Sequence, residues 1–283
     1  MSNAYENILV SVVMAFYNGD NTEIAKITID SVLSQTHKNF EFIISAGGNL
    51  SDEKTEMLKI YAEKDSRIKV LRSEINVGPS NSRNRGVEFA AGKYISIVDS
   101  DDIFFEEKIK KQLEQIIEKN LDFVGCGYIE FRNDHKQELG KVRILPKTGK
   151  DIRISLPFAN PIANSALFIK TDVLKALLYD EKFKPGDGED YDLVIRLVKR
   201  KYTGQNLSEP LFYYRLGNNF EKKHANLRCS IKDLQHKLKA SSVLPFWCFP
   251  FIFASAIVAF FCRILPPKLF SIMRDFRHKI FGG

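Results

Sequence analysis

Tyr94-Ile95-Ser96-Ile97-Val98-Asp99-Ser100-Asp101-Asp102 joins an apolar run to three carboxylates within four residues. So short and apolar a run predicts a strand buried on both faces. A strand ending in acids delivers them to the open edge of a sheet, where α/β folds bind ligands. Three like charges this close raise one another's pKa values. A divalent cation relieves that repulsion, and Mg²⁺ or Mn²⁺ prefers carboxylate oxygens together with phosphate oxygens. Two readings therefore stand for this stretch alone. One is a metal–nucleotide site. The other is a solvated turn capping a helix that starts near Phe104 or Phe105, since Asp is a good N-cap.

Working outward, strand-like and helix-like segments alternate. Residues 8–16, 40–45 and 68–72 predict strands, and residues 22–35, 52–64 and 80–91 predict helices between and after them. Residues 105–119 predict a helix with Ile109, Leu113, Ile116 and Ile117 on its apolar face. Strict alternation predicts an α/β fold: a Rossmann-like, mostly parallel mixed sheet with helices on both faces. Further on the pattern is mixed, with strands over 123–131 and 166–169 and a helix over 189–200.

The 283 residues carry 42 Lys/Arg against 35 Asp/Glu, and the excess is uneven. Residues 196–283 hold 16 Lys/Arg and 4 Asp/Glu. A basic tail on a mildly acidic body predicts an anionic partner for the tail. Residues 243–262 are uncharged and aromatic-rich, flanked by Lys232, Lys237 and Lys239 on one side and Arg263, Lys268, Arg274, Arg277 and Lys279 on the other. About 20 apolar residues suffice to span a bilayer. Pro245 and Pro250 and the basic flanks favour a re-entrant or in-plane hairpin over a single span. Phe270-Ser271-Ile272-Met273-Arg274-Asp275-Phe276-Arg277 continues as a basic amphipathic stretch suited to anionic lipid. The basic residues flank an apolar block and are not spread along a groove, which argues against nucleic acid. Division into a catalytic region over 1–220 and a membrane-associating segment over 221–283 follows. Cys126, Cys229, Cys248 and Cys262 form no C-x-x-C pair, so neither zinc nor a disulfide framework is indicated. Residues 8–16 read as a strand and not as a signal peptide.

Three further clusters carry chemistry. Val10-Ser11-Val12-Val13-Met14-Ala15-Phe16-Tyr17-Asn18 ends a buried strand in an aromatic that can stack on a base and an amide that can close a turn. Asn76-Val77-Gly78-Pro79-Ser80-Asn81-Ser82-Arg83-Asn84-Arg85-Gly86 runs a polar loop into a helix with two arginines, and helix N-termini attract phosphate. Gly186-Asp187-Gly188-Glu189-Asp190-Tyr191-Asp192 places acids at a helix start, either as caps or as a general base.

In order and spacing, the four clusters over residues 8–215 resemble the inverting family-2 glycosyltransferases of GT-A fold. Supporting matches are Ser31-Val32-Leu33-Ser34-Gln35-Thr36, the Asn-x-Gly and Ser-Arg-Asn-x-Gly elements at Asn76, Gly78 and Ser82–Gly86, Gly92-Lys93-Tyr94-Ile95, and Glu189-Asp190 before a helix with Arg196. The resemblance implies a nucleotide-diphosphate sugar held at the C-terminal ends of the first strands, near Tyr17, Asn18, Asn76 and Gly78. It implies Asp101 as ligand of Mg²⁺ or Mn²⁺, with Asp99 on the metal or the ribose. Arg83 would stabilise charge near the phosphates, Asp190 would be the general base, and Glu189 its alternative. Asp102 is left as the cap. The acceptor would be a glycan or a lipid-linked sugar at the cytoplasmic face of the inner membrane, in the synthesis of cell-surface polysaccharide. Tyr213-Tyr214-Arg215 matches the end of the family's catalytic region, and His224 follows as a candidate near the metal. Two departures are plain. The acids that usually follow the second strand are replaced by Ser45-Ala46-Gly47-Gly48, leaving Asn49 or Asp52 to meet the base, and Ala15-Phe16 stand where a Pro usually precedes Tyr-Asn. Competing readings are a non-catalytic sugar-binding module on the same fold and a sugar nucleotidyltransferase. The second lacks the Gly-rich basic loop it needs after the first strand.

Overall fold

The computed structural model describes residues 5–132, 139–217, 226–264, 272 and 275. A single mixed sheet of nine strands runs through it in the order β3-β2-β1-β4-β8-β6-β9-β5, with β7 on β6. The first four strands are β1 (Val10–Tyr17), β2 (Phe40–Gly47), β3 (Ile68–Ser73) and β4 (Tyr94–Val98), all parallel. Every residue of β2 and β4 is buried, as a strand covered on both faces requires. The helices α1 (Thr22–Leu33), α2 (Asp52–Lys64) and α3 (Gly78–Phe89) connect them.

The chain moves outward from β1 to β2 to β3, then returns to the other side of β1 to make β4. With the right-handed crossovers of βαβ units, that reversal puts α3 on the opposite face from α1 and α2. It also opens a crevice at the C-terminal ends of β1 and β4, the place where α/β sheets bind ligands. Tyr17 ends β1 and Asp99 follows β4 there. The helix α3 comes close to β1 because Gly86 faces Val13; a Cβ on Gly86 would sit 2.6 Å from Val13 Cγ1.

The later strands are β5 (Ile103–Phe104), β6 (Phe123–Phe131), β7 (Leu139–Arg143), β8 (Phe168–Lys170) and β9 (Gly204–Arg215). The strand β8 is antiparallel to both β4 and β6, so β6 runs the same way as β4, and β9 is parallel to β6. The remaining helices are α4 (Lys108–Glu118), α5 (Gly149–Ser155), α6 (Thr171–Leu177), α7 (Glu189–Lys199), α8 (Leu227–Ser241) and α9 (Phe249–Ile264). The expected helix from Phe105 starts later because Ile103 and Phe104 pair with Tyr213 and Phe212. Asp102 is accordingly not a helix cap. It is 1% exposed and accepts the Arg215 backbone N–H at 3.0 Å, tying the end of β4 to the end of β9.

The helices α8 and α9 form an antiparallel hairpin. Ala240 and Val243 join the main core, and Ile252, Ala256 and Ala259 of α9 are buried while Phe249, Phe253, Val258 and Phe261 stay exposed. Pro245 precedes a 3₁₀ turn (Phe246–Cys248) and Pro250 lies in the first turn of α9, where a missing N–H costs nothing. Among the described residues no helix is long and apolar enough to cross a membrane. The expected boundary near residue 220, His224 and most of the basic stretch after residue 264 lie outside the described residues.

At the opposite end of the first strands, a buried cluster pins the sheet. Glu41 on β2 accepts Ser11 Oγ at 2.6 Å, Lys69 Nζ at 2.6 Å and the Ala91 N–H at 2.7 Å, and Ser11 Oγ accepts the Gly92 N–H at 2.9 Å. Burial alone would raise the Glu41 pKa, but these donors hold it below the ordinary value. Glu41→Leu leaves the Ser11 hydroxyl and the Ala91 N–H without their buried acceptor while exposed Lys69 turns to solvent, and a loss of about 1–3 kcal/mol is expected, read as a lower urea midpoint. In the wild type this contribution is present above the ordinary Glu pKa and fades as pH falls through the lowered value, so the gap between wild type and variant narrows in acid.

Candidate active site

Around the crevice, the side chains are held by one buried guanidinium. Arg83, on the first turns of α3, is 8% exposed. One of its terminal nitrogens donates to Asp99 Oδ1 and the other to Glu189 Oε1, both at 2.8 Å. The two carboxylates raise its pKa against the opposing effect of burial, so it stays charged. Arg83, expected near the phosphates, thus has both ends of its fork on carboxylates. Glu189, expected as the alternative base, is its ion-pair partner. Asp190, its neighbour at the start of α7, accepts Asn160 Nδ2 at 2.8 Å. Burial first, and the Glu189 charge second, push the Asp190 pKa up to about 7.

The Arg83 fork continues into a chain of amides and a phenol. Asp99 Oδ1 also accepts Asn164 Nδ2 at 2.7 Å, and the Asp99 N–H donates to Ser165 Oγ at 3.0 Å. Asn164 Oδ1 accepts the Tyr179 hydroxyl at 2.9 Å. The Tyr179 backbone is clasped by Asn84, its N–H donating to Oδ1 at 2.8 Å and its C=O accepting from Nδ2 at 2.9 Å. Asn84 is thus a bracket between α3 and the chain after α6. Arg196 performs a similar service for α7. It bonds Asp192 Oδ2 at 2.6 Å and the Leu177 and Leu178 carbonyls at 2.7 Å each.

Beside Asp99 lies a second concentration of acid. Asp20 accepts the Tyr17 N–H at 2.9 Å and the Ser100 hydroxyl. Burial, with Asp101 and Asp99 adding repulsion, takes its pKa up to about 7. Burial together with the same two neighbours holds the Asp102 pKa well above the usual carboxylate range. Four carboxyls therefore feel one another at this edge. Arg215 closes the far side, with Nε donating to the Asp101 carbonyl at 3.2 Å and its guanidinium 4.6 Å from the Phe131 ring centroid.

The expected donor-binding residues divide by what they touch. Tyr17 is 47% exposed at the mouth, and its ring lies against Gly19, where a Cβ would meet Cε2 at 2.4 Å. Asn18 Oδ1 accepts the Ser51 N–H at 2.9 Å and so fastens β1 to the N-cap of α2. Asn76 Oδ1 accepts the Gly78 N–H at 3.1 Å, forming a turn in which Gly78 takes φ +85°. A Cβ on Gly48, itself at φ +79°, would lie 3.1 Å from Asn76 Cβ. The loops after β2 and β3 therefore rest on each other, and Asn76 and Gly78 act as backbone formers. Asp52 is exposed in the first turn of α2. Asn160, Asn164, Ser165, Tyr179 and Asp20 escaped the sequence reading. The polar spacing in Asn160-Pro161-Ile162-Ala163-Asn164-Ser165 was the one signal available for three of them.

The loop that delivers Asp190 is itself held by α8. Gly186 and Gly188 turn at φ +83° and +85°. Asp187 between them takes Arg228 in two bonds of 2.9 and 2.8 Å, and its carbonyl lies 2.8 Å from His236 Nε2. Burial lowers the His236 pKa, which keeps the ring neutral and able to donate to that carbonyl. Lys239 pairs with Asp192 one turn into α7.

Comparison with known proteins agrees with this geometry. The family described as glycosyl transferase family 2 matches residues 11–174. An uncharacterized glycosyltransferase of Methanocaldococcus jannaschii is 30% identical over 279 residues, spanning 96% of this chain and 94% of that protein. The O-antigen biosynthesis glycosyltransferase WbnJ of Escherichia coli is 32% identical over 255 residues, spanning 88% of this chain and 97% of WbnJ. Among solved structures, mannosyltransferase PcManGT from Pyrobaculum calidifontis, in complex with GDP-Man and Mn²⁺, superposes with a TM-score of 0.64 at 13% identity, covering 96% of this chain and 73% of that one. S. aureus TarS 1-349 in complex with UDP-GlcNAc gives 0.61 at 18% identity, covering 96% and 88%. The chain is a glycosyltransferase and belongs to glycosyl transferase family 2.

Proposed function

We propose that this chain is a GT-A enzyme that moves a sugar from a nucleotide-diphosphate sugar to a hydroxyl of a glycan or lipid-linked acceptor, with inversion, in the making of cell-surface polysaccharide. The observation that carries this reading is the Arg83 fork, which joins the acid cluster after β4 to the base-bearing start of α7. Donor and acceptor chemistry need those two groups on opposite sides of one anomeric carbon.

The donor would lie over the ends of β1 and β4, its base against the half-exposed Tyr17 ring. Among the described residues no group of three or more His, Cys, Asp or Glu is arranged to hold a metal by itself. A cation bound here would be completed by diphosphate oxygens, as Mg²⁺ and Mn²⁺ prefer. The fit is electrostatic: Asp99 and Asp101 raise the proton affinity of Asp20 and Asp102, and a divalent charge is what relieves that repulsion. Asp101 would hold it, with Asp99 Oδ2 available beside the oxygen already bonded to Arg83 and Asn164. When bound, such a cation supplies Lewis-acid stabilisation of the diphosphate leaving group.

Asp190 takes the proton of the acceptor hydroxyl as that oxygen attacks the anomeric carbon from the face opposite the leaving group. A pKa near 7 suits this, because the base is both available and strong enough at neutral pH. Arg83 holds Glu189 in place, so the proton goes to Asp190, and the Glu189 charge supports its basicity. Membrane association would bring lipid-linked acceptors to the site. Its support is the exposed aromatic face of α9 and the preceding turn, where Phe246 is 83%, Trp247 65% and Phe251 77% exposed.

Two experiments test the reading. At saturating Mn²⁺, which suppresses the other raised carboxyls, kcat/KM rises with pH through about 7 and then levels, because protonated Asp190 cannot accept a proton. Asp190→Asn lowers kcat by roughly 10²–10⁴-fold and abolishes that limb, while donor binding is retained. In a panel of nucleotide-diphosphate sugars, the true donor raises Tm only with Mn²⁺ present, and Asp101→Asn or chelation removes the rise. Sugar transfer unaffected by either substitution is the outcome that would make the chain a non-catalytic module.

A further inference from the structure

We propose that a cationic cavity at the sheet edge opposite Asp99 binds the phosphate headgroup of an anionic phospholipid. The inference rests on the membrane association proposed above and adds a specific lipid site to it.

The cavity measures about 580 Å³, within the roughly 300–1,000 Å³ of small-molecule sites. It lies where β6 and β9 begin, at Phe123 and Gly204. Because β6 and β9 run in the same direction as β4, their starts are at the far edge from the crevice at Asp99. This cavity is therefore separate from the sugar-transfer site.

Its lining is chemically one-sided. Arg153, Lys199 and Lys201 contribute positive charge, Tyr202 and Thr203 contribute hydroxyls, and no carboxylate lines it. Among the described residues, none of these three cations is in an ion pair with a carboxylate. Elsewhere on the protein, Lys170, Arg196 and Lys239 each have such a partner. Phe123 and Val243 supply apolar wall between the charges. Cations over an apolar floor suit a phosphate that carries hydrocarbon.

Position selects the bilayer as the source of that phosphate. Ser242 and Val243 form part of the rim, three residues before the exposed Phe246 and four before Trp247. Arg153 Nε donates to the Val243 carbonyl at 2.7 Å, which fixes this guanidinium at the point where the chain leaves α8 for the aromatic turn. Aromatic rings beside basic side chains are what the headgroup level of a membrane favours. With α9 lying on the bilayer by its exposed face, the cavity mouth sits at that level.

The test uses the full chain and its single tryptophan, Trp247, as reporter of membrane contact. Emission is titrated with vesicles of phosphatidylcholine and with vesicles of phosphatidylcholine plus phosphatidylglycerol. Wild type binds the anionic vesicles more tightly. Lys199→Gln/Lys201→Gln lowers that affinity by about thirtyfold and leaves binding to neutral vesicles unchanged. Lys59→Gln/Lys64→Gln removes the same charge from the exposed face of α2 and keeps the anionic preference. An unchanged preference in the Lys199/Lys201 variant overturns the site, as does an equal loss in both variants, which would reduce the effect to bulk charge. If Trp247 responds to no vesicle at all, membrane association itself fails, and the lipid site falls with it.

Discussion

A single buried guanidinium between two carboxylates organises this protein. Arg83 reaches from α3 to Asp99 at the end of β4 and to Glu189 at the start of α7, elements far apart in the chain. Taking three charges out of water is costly, and a truncated member would leave the others stranded at roughly 3–5 kcal/mol. Such an arrangement is weak support for stability by itself. Its value is geometric: Arg offers two parallel donors in one rigid plane, so the carboxylates it joins have a fixed separation. The rest of the site is built to keep Arg83 where it is. Gly86 lets α3 lie against β1, Asn84 clasps Tyr179, and Tyr179 hands its hydroxyl to Asn164, which returns to Asp99.

The same constraint separates the acids by role. Glu189 is ion-paired with Arg83 at 2.8 Å. Asp190, one residue on, accepts the Asn160 amide, and burial together with the Glu189 charge raises its proton affinity. Two adjacent acids thus acquire different chemistry from their surroundings, a pattern that marks catalytic bases in general. Around Asp99 the acids crowd together. Asp99 and Asp101 raise the proton affinity of Asp20 and Asp102, and that repulsion is the physical case for a cation and a diphosphate.

Much of the fold was legible in the sequence because the parallel strands are fully buried and read as apolar runs. The bounds of β4, β6 and α2 follow directly from the pattern. The strand β9 was hidden by Asn206, Ser208, Glu209 and Pro210. Pro210 fits because the register against β6 shifts between Cys126 and Gly127, a bulge that needs no N–H from it. The helix α5 announced itself by a capping box, Thr148 with Asp151, that the periodicity scan passed over. At the site, the motifs put Asp99 and Asp101 just after a buried strand and Asp190 at a helix start, and the elements lie there. Arg83's commitment to carboxylates was not legible, because its partners lie 16 and 106 residues away along the chain. Tyr179 had no spacing to betray it, and the polar spacing of Asn160 and Asn164 does not say which acids they meet; only the folded chain brings them together.

The helix α8 extends the network outward from the start of α7. Arg228 and His236 grip Asp187, Lys239 grips Asp192, and α9 packs along α8 with its aromatic face exposed. The position of Asp190 is therefore set from two directions, by Arg83 inside and by α8 outside. The claim that Arg83 makes the donor acid and the base region one unit is tested most directly by a double-mutant cycle on kcat/KM between Asp99→Asn and Glu189→Gln. Because both carboxylates share one guanidinium, the effects are predicted to be non-additive by more than about 1 kcal/mol. Effects that add within about 0.5 kcal/mol would show that the two sides act independently, and would contradict the account.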